Sequence, residues 1–588
     1  MVELPIDPIL PELVRELSAH PAVVLEAPPG AGKTTRVPGA LLDASLAGEK
    51  KILVIEPRRM AARLSDLFVA KEREAKVGEA VGYRIRHESK VSSKTRLVFQ
   101  TEGLVLRQLA GDPTLQEFGV VILDEFHERN IASDLILAIL GQLQTTTRPD
   151  LKLVVMSATL NAEFVESYFA DCVRIRSEGR AFPVEIIHLA HRSERRLEKE
   201  VRSALVTALN RDEGDILIFL PGMGEIRRSI EECGELLKKA NALGLPLHGA
   251  LPIKEQERAI GKASKRKVIF STNVAETSVT IDGVTTVIDS GLARVASMGS
   301  GGLYTSLGLQ PISQASAIQR TGRAGRTQAG VCYRLFTKSH FGQRSAYDTP
   351  EIIRSDLSDA ILLLGSMGFS DLETFPFISH PKSESIDAAR TLLQRLGAID
   401  ENFEITSAGK RFLQFPLHPR FAKLVVESAE HGLSELGVLS AAILSERDFR
   451  LREEPFPTGK SDVLGLCDLY RQVEKSNFAS HRIRNLGLNE RTLRSIQKTK
   501  SQLERILRST VQSKSERPDN SEDVFLRLLM KSFPDRVAKR VSAGGQRKGE
   551  REVLLVSGGR ATLSRESGIG DAEYVIAVQM GERRQQGR

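Results

Sequence analysis

Ala27-Pro28-Pro29-Gly30-Ala31-Gly32-Lys33-Thr34 sets two glycines just ahead of a lysine and a hydroxyl. A tight glycine-rich turn lets backbone N–H groups converge on phosphate oxygens, and the positive end of a following helix adds to the attraction. This is nearly the phosphate-binding loop pattern, with Ala27 where its first glycine stands. Gly30, Ala31, Gly32 and Thr35 would complete a cradle for ATP, Lys33 would reach its β- and γ-phosphates, and Thr34 would bind Mg2+. A second element follows downstream. The apolar run Val120–Leu123 leads into Asp124-Glu125-Phe126-His127-Glu128-Arg129. An acid at the end of a buried strand suits a divalent cation, so Asp124 would hold Mg2+, through water, and Glu125 would orient and deprotonate an attacking water. Two acids in a loop usually mean only a solvated turn. Their place downstream of a phosphate loop reverses that judgement.

The third element is Gln319-Arg320-Thr321-Gly322-Arg323-Ala324-Gly325-Arg326. Arg323 and Arg326, three apart on a helical spacing, can face one site. Phosphoryl transfer leaves charge on equatorial oxygens, and a guanidinium brought to them accelerates the reaction by about 10³–10⁵. A basic nucleic-acid-binding helix is the secondary reading. These arginines lie far along the chain from Lys33 and Glu125, so the expected site is completed only when two lobes close.

The elements that must carry these residues are legible as short apolar runs. They are Ala22–Glu26, Lys51–Glu56, Arg96–Phe99, Gly119–Leu123 and Lys152–Met156, then Val184–Leu189, Asp215–Leu220, Lys267–Phe270, Thr285–Asp289 and Val331–Leu335. Near-continuous apolar runs alternating with helical patterns point to α/β domains with parallel sheets buried on both faces. Ligands in such sheets bind beyond the carboxyl ends of the strands, where the three motifs sit. After Thr349 the strand signal fades. Asp356–Gly368 and Ser385–Leu396 read as helices and Ile405–Gly409 as a turn, together a winged-helix-like module. Helical patterns dominate from Arg411 to Leu529. Arg491–Arg508, for instance, has Leu493, Ile496, Leu503, Ile506 and Leu507 on one side and a basic opposite side that reads as a solvated face. Val537–Glu552 reads as a basic, glycine-rich linker, and Val553–Val556 and Tyr574–Val578 as strands.

Composition narrows the partners. The net charge of +8 favours polyanions only weakly, since many basic proteins bind none. With aromatic content at 5% and no tryptophan, backbone-tracking contacts are favoured over a stacking platform. Cys172, Cys233, Cys332 and Cys467 form no CxxC or Cys/His cluster, which disfavours zinc or a disulfide framework and fits a reducing, cytoplasmic setting. The N-terminus does not read as a signal peptide, and no apolar stretch approaches the ~18 residues of a membrane span.

Taken in order, the motifs resemble those of superfamily 2 helicases of the DEAH/RHA group. Glu56-Pro57-Arg58-Arg59, Thr101-Glu102-Gly103, Ser157-Ala158-Thr159, Leu220-Pro221-Gly222 with Glu225, and the run from Ser271 through Asp282 are similar to its further motifs. Phe126, the loop sequence and Phe533-Pro534-Asp535-Arg536-Val537-Ala538 resemble the bacterial HrpB-type subgroup, whose members usually continue beyond this chain's end, so the chain is expected to be shortened. The resemblance implies two tandem RecA-like P-loop domains at about 1–175 and 176–345. A winged-helix module at 346–409, a helical ratchet module at 410–530 and the start of the HrpB-type C-terminal region at 531–588 would follow. It implies that Gln319 positions the attacking water, that His127 couples the nucleotide site to the second lobe, and that Ser157 and Thr159 link hydrolysis to lobe movement. Asp282 would contact the ribose, and Arg58, Arg59, Thr101, Thr272 and Asn273 the nucleic-acid backbone. The base clamp of such proteins falls loosely at Phe68 and Ile260, which implies weak discrimination among nucleotides. The implied activity is ATP-driven movement of a monomer along single-stranded nucleic acid, 3′-to-5′, with RNA favoured. A DNA or dual translocase is the alternative, because recognition of a 2′-OH leaves no linear motif. A catalytically idle scaffold is disfavoured by the intact catalytic set, and a nucleotide switch without a strand partner by the basic balance.

Overall fold

The computed structural model describes residues 4–28, 30–86, 88–158, 162–177, 182–276, 281–298, 305–326, 328–451, 456, 459–511, 514, 516–541, 551–570 and 572–581. Among the expectations above, Pro29, Thr159, Thr277, Ser278 and most of the 537–552 segment (542–550) fall outside them. The chain divides into two compact units. One comprises Met1–Ser297, Leu307–Arg354 and Pro376–His380, and the other Met298–Ser306, Ser355–Phe375 and Pro381–Arg588.

The first unit contains both large sheets. The N-terminal sheet is built from β1 (Ala22–Glu26), β2 (Lys51–Glu56), β3 (Val81–Ile85), β4 (Glu88–Lys90), β5 (Leu97–Thr101), β6 (Phe118–Leu123), β7 (Lys152–Ser157) and β8 (Cys172–Arg176). Their spatial order is β4-β3-β5-β2-β6-β7-β1-β8, and every neighbour is parallel except the β3–β4 hairpin. The second sheet uses β9 (Val184–His188), β10 (Asp215–Phe219), β11 (Leu243–Leu247), β12 (Lys267–Ser271), β13 (Val284–Asp289) and β16 (Gly330–Arg334), in the order β11-β12-β10-β13-β16-β9 and wholly parallel. Between β13 and β16 in the chain, β14 (Leu292–Met298) and β15 (Thr305–Pro311) form a separate two-stranded sheet.

Burial explains the apolar runs. In β10, Ile216 and Ile218 enter one core while Leu217 and Phe219 enter another, so alternate side chains face helices on opposite sides of the sheet. All six residues of β6 are buried. The two lobes also pack on each other, since Met60, near the start of the helix Arg59–Glu72, rests on a core of the second sheet.

The second unit is helical at first. Ser358–Ser366, Ser383–Arg395, Pro419–Glu430, Ser434–Leu444, Asp462–Lys475 and Glu490–Thr510 are its longer early helices. Glu490–Thr510 buries Leu493, Ile496, Thr499, Leu503 and Leu507 along one stripe. Two local expectations are corrected. The segment Ile405–Gly409 is not a free turn: Ile405 bridges Ile399, and Thr406 caps the helix Ser407–Leu413 by accepting the Gly409 N–H (3.0 Å). The segment Val537–Glu552 is not all linker, because it opens with β17 (Val537–Arg540), which pairs with β18 (Glu552–Leu555) and β20 (Tyr574–Ile576), the latter two lying where strands were expected. With β19 (Arg560–Thr562) they make a four-stranded antiparallel sheet over Ala538, Val553, Leu555 and Val575. Among the described residues no helix is long and apolar enough to cross a membrane.

Candidate active site

The carboxyl ends of β1, β7, β6 and β2 lie side by side, and each delivers a motif. Beyond β1 the backbone extends one more step, Ala27 N–H donating to Ser157 O (3.0 Å), so a Cβ is tolerated where the pattern has glycine. The chain then turns sharply. Gly30 (φ 87°) and Gly32 (φ 98°) take left-handed conformations that side-chain-bearing residues disfavour. Gly32 caps the helix Lys33–Asp43, whose N-terminus therefore faces the loop. The Lys33 amine is buried and donates to Ala27 O (2.6 Å) and Pro28 O (3.4 Å). Thr35 Oγ1 donates to Gly32 O (3.1 Å).

Beyond β6, Asp124 N–H donates to Ile55 O (3.0 Å), and the Asp124 carboxylate accepts the Thr34 hydroxyl. The two groups assigned to Mg2+ are thus in contact, and both are hard oxygen donors. Among the described residues no group of three or more His, Cys, Asp or Glu forms a metal-ligand cluster. An ion at Thr34 and Asp124 would complete its shell with water and phosphate oxygens, as Mg2+ commonly does. Glu125 lies at φ 50°, strained for a residue with a side chain, and one of its buried carboxylate oxygens has no hydrogen-bond partner among the described residues. A water held there would meet an acceptor.

The arginine segment of the second lobe reaches this place. Gln314–Thr321 is a helix capped by Ser313, which accepts the Ser316 N–H (3.1 Å). From it Gln319 Nε2 lies 3.0 Å from His127 Nε2. On the other side of that ring, His127 Nδ1 accepts from Ala158 N–H (3.5 Å) and lies 3.5 Å from the Glu125 carboxylate. His127 therefore spans from the second lobe to both the Asp124–Glu125 segment and Ser157–Ala158. Arg326 stands over the phosphate loop, its Nε 3.5 Å from the point a Cβ on Gly30 would occupy. Arg323 is buried, with Nε donating to Glu276 O (2.9 Å).

The electrostatics follow from this crowding. Burial pulls the Lys33 ammonium below its ordinary value against the pull of Glu125 and Asp124. Burial, joined by mutual repulsion with Arg326, does the same to Arg323, and burial lowers Arg326 to about 10. Burial and then the Glu125 charge push Asp124 up. Burial also acts to raise Glu125, but His127, Lys33, Arg323 and Arg58 together hold it below the usual range. The adjacent carboxyls are driven apart, which keeps Glu125 the more readily ionised of the two. Lys33, Arg323 and Arg326 converge on one buried volume, an arrangement that a polyanion stabilises.

The remaining candidates divide. Asp282 is exposed, and its charge acts on Arg326. Arg59 and Asn273 are exposed, Thr101 is half-buried and Thr272 is buried. Ser157 Oγ is buried with no hydrogen-bond partner among the described residues. Arg58, expected on a nucleic-acid backbone, here joins the lobes. It donates to Asn273 O (2.9 Å) and pairs with Glu128 (3.0 Å). Two features carried no role in the sequence reading. Glu56 is a third buried carboxyl beside Asp124 and Glu125, raised by burial and by their charges. Glu276 and Arg320 form a buried ion pair (2.8 Å) between the two second-lobe motifs.

The chain is similar to known proteins over most of its length. Residues 8–167 match the DEAD/DEAH box helicase family, 197–328 the helicase conserved C-terminal domain, and 389–417 the winged-helix part of the helicase associated domain (HA2). The ATP-dependent RNA helicase HrpA of Borreliella burgdorferi is 34% identical over 563 residues, 92% of this chain and 68% of that protein. The chain belongs to the DEAH/RHA helicase family. The ATP-dependent RNA helicase HrpB of Escherichia coli K12 is 39% identical over 465 residues, 79% of this chain but 56% of that one. The crystal structure of the E. coli DExH-box NTPase HrpB matches with TM-score 0.81 at 34% identity, covering 100% of this chain and 67% of that one. As a DEAH/RHA helicase, this chain has two RecA-like domains, a winged-helix module, a helical region and a small antiparallel sheet. The family is one of nucleotide-using enzymes acting on nucleic acid.

Proposed function

We propose that this chain is a cytoplasmic, monomeric motor that couples ATP hydrolysis to 3′-to-5′ movement along single-stranded RNA. The observation that carries the reading is the meeting of Lys33 and Glu125, from one RecA-like sheet, with Gln319, Arg323 and Arg326 from the other. Gly30, Ala31, Gly32, Lys33, Thr34 and Thr35 hold the triphosphate and Asp282 faces the ribose. Thr34 and Asp124 hold Mg2+, which when bound neutralises phosphate charge. Glu125 takes the proton of a water that Gln319 helps to orient. Arg323 and Arg326 stabilise the charge that develops on the transferred phosphoryl oxygens. His127, Ser157 and Thr159 pass the change to the lobes. Arg59, Thr101, Thr272 and Asn273 contact the strand backbone without reading bases, and Arg58 joins them when it exchanges its protein partners for a phosphate.

RNA is chosen because both named relatives are RNA helicases. A strand-displacement assay with RNA and DNA duplexes bearing 3′ or 5′ overhangs, with and without ATP, tests substrate and polarity together. Displacement only from 3′-overhang RNA is expected. Displacement from 5′ overhangs, or none with any duplex, contradicts the reading.

A further inference from the structure

Glu276 makes three contacts to one face of the arginine-bearing segment. Oε1 accepts the Ser316 hydroxyl (2.5 Å), Oε2 accepts Arg320 Nε (2.8 Å), and its backbone carbonyl accepts Arg323 Nε (2.9 Å). Ser316, Arg320 and Arg323 recur at i, i+4 and i+7, which places them in one row along the helix and the turn that follows. All four residues are buried.

Neutralising Arg320 does not by itself account for this arrangement. Arg320 Nη1 already donates to the buried carboxylate of Asp289 (2.9 Å) at the end of β13, and its guanidinium lies 4.9 Å from the Phe219 ring centroid. A second acid is a costly addition in a buried place unless it orders something. What it orders is the turn on which it sits: Ala275 N–H donates to Thr272 O (3.2 Å) and Glu276 N–H to Asn273 O (3.0 Å). Glu276 is therefore one end of a compact turn whose other end is Thr272 and Asn273.

We propose that Glu276 is a positioning residue for Arg323. Its carboxylate pins the turn to the helix, which sets its own carbonyl against Arg323 Nε and so fixes the direction of that guanidinium. The proposal needs only hydrolysis at this site and not the identity of the strand.

The test uses the full chain with Glu276→Gln and Ser316→Ala, measured for ATPase activity alone, with poly(U) and with poly(dT), for binding of a fluorescent ATP analogue, and for melting temperature. Glu276→Gln is expected to lower kcat at least tenfold, while KM for ATP and analogue affinity stay within about threefold. The poly(U) concentration giving half-maximal stimulation should hold while the maximal stimulation falls. Ser316→Ala, which removes one hydrogen bond and no charge, should shift kcat in the same direction by a smaller factor, and it decides the matter if Glu276→Gln fails to fold. An unchanged kcat in a folded variant overturns the positioning role, as does a loss confined to melting temperature or to KM. If poly(U) and poly(dT) both fail to stimulate the unmodified protein, the motor reading falls, and the unstimulated kcat values still decide the positioning.

Discussion

Glu102 follows Thr101 at the start of the helix Glu102–Gly111 and is 8% exposed. Burial, and then the charges of Glu128, Glu351 and Asp134, raise its carboxyl from 4.5 to about 8, against a hydrogen bond from Asn130 (3.4 Å) that favours the ionised form. In the folded chain at neutral pH it is therefore largely protonated, whereas in the unfolded chain it is ionised. Below pH ~4.5 both states hold the proton and the group does not affect stability. Between pH 4.5 and 8 the unfolded state binds fewer protons, so stability falls as pH rises, by about 1.4 kcal/mol per pH unit. The cumulative cost is about 3 kcal/mol at pH 7 and levels off near about 5 kcal/mol above pH 8.

Glu102→Gln keeps the shape and the acceptor for Asn130 but cannot ionise. The variant should match the unmodified protein at pH 4.5 and become progressively more stable than it up to pH 8. Because the chain has more than one unit, the measurement is site-resolved: hydrogen exchange of the Glu102–Gly111 helix at pH 5, 6, 7 and 8, corrected for intrinsic exchange. A protection difference that grows with pH is expected. Equal protection at pH 8, or a variant less protected at every pH, refutes the reasoning, because either result means that the folded state tolerates the Glu102 charge.

Further perturbations address the site and the second unit. Lys33→Ala should abolish binding of a fluorescent ATP analogue and turnover together, and near-normal turnover would remove the phosphate-loop assignment. Arg326→Ala should leave analogue binding intact while slowing hydrolysis by about 10³ or more; loss of RNA binding alone would assign it elsewhere. Gly325→Ala would put a Cβ 2.5 Å from Phe182 O, so the backbone must shift and carry Arg323 and Arg326 with it; kcat should fall with little change in analogue affinity. Asp535→Ala strands Arg420, whose buried guanidinium it holds by two contacts (2.5 and 2.7 Å), and calorimetry should show a transition lowered by about 3–5 kcal/mol.

Much of this architecture was legible because its central strands carry one message. Ala22–Glu26 and Lys51–Glu56 are apolar on both faces, and the observed strands have the same limits. The strands that escaped notice lie at or beside sheet edges. Leu243–Leu247 contains Gly244 and Pro246, tolerable where one side of the strand is unpaired, Cys172–Arg176 alternates charge with apolar residues, and Glu88–Lys90 is wholly polar. In the site, a glycine pattern can be read because Gly30 and Gly32 need conformations that the sequence must permit, while the missing first glycine matters little because Ala27 does not take a positive φ and its methyl packs in the core. Pairings across long separations leave no such mark. Nothing in the residue types says that Glu276 meets Arg320, or that Arg58 takes Asn273 and Glu128 as partners.

Those unreadable pairings bear on how the proposed motor would be driven. Arg323 and Arg326 repel each other, and both repel Lys33, in a volume where burial magnifies charge. Asp124 and Glu125 offset part of this, while the Glu276 carboxylate is engaged by Arg320. Approach of the second lobe is thus favoured in proportion to the negative charge held over the phosphate loop. A triphosphate supplies more of it than a diphosphate, so cleavage and departure of the γ-phosphate weaken the approach. In the proposed motor Arg58 supplies the counterpart on the strand side, because its bond to Asn273 O crosses the same junction while its pairing with Glu128 stays within the first lobe, and a phosphate of the strand would replace both. Nucleotide and strand then bias one junction through separate sets of arginines, which is the condition for each to alter the affinity of the other.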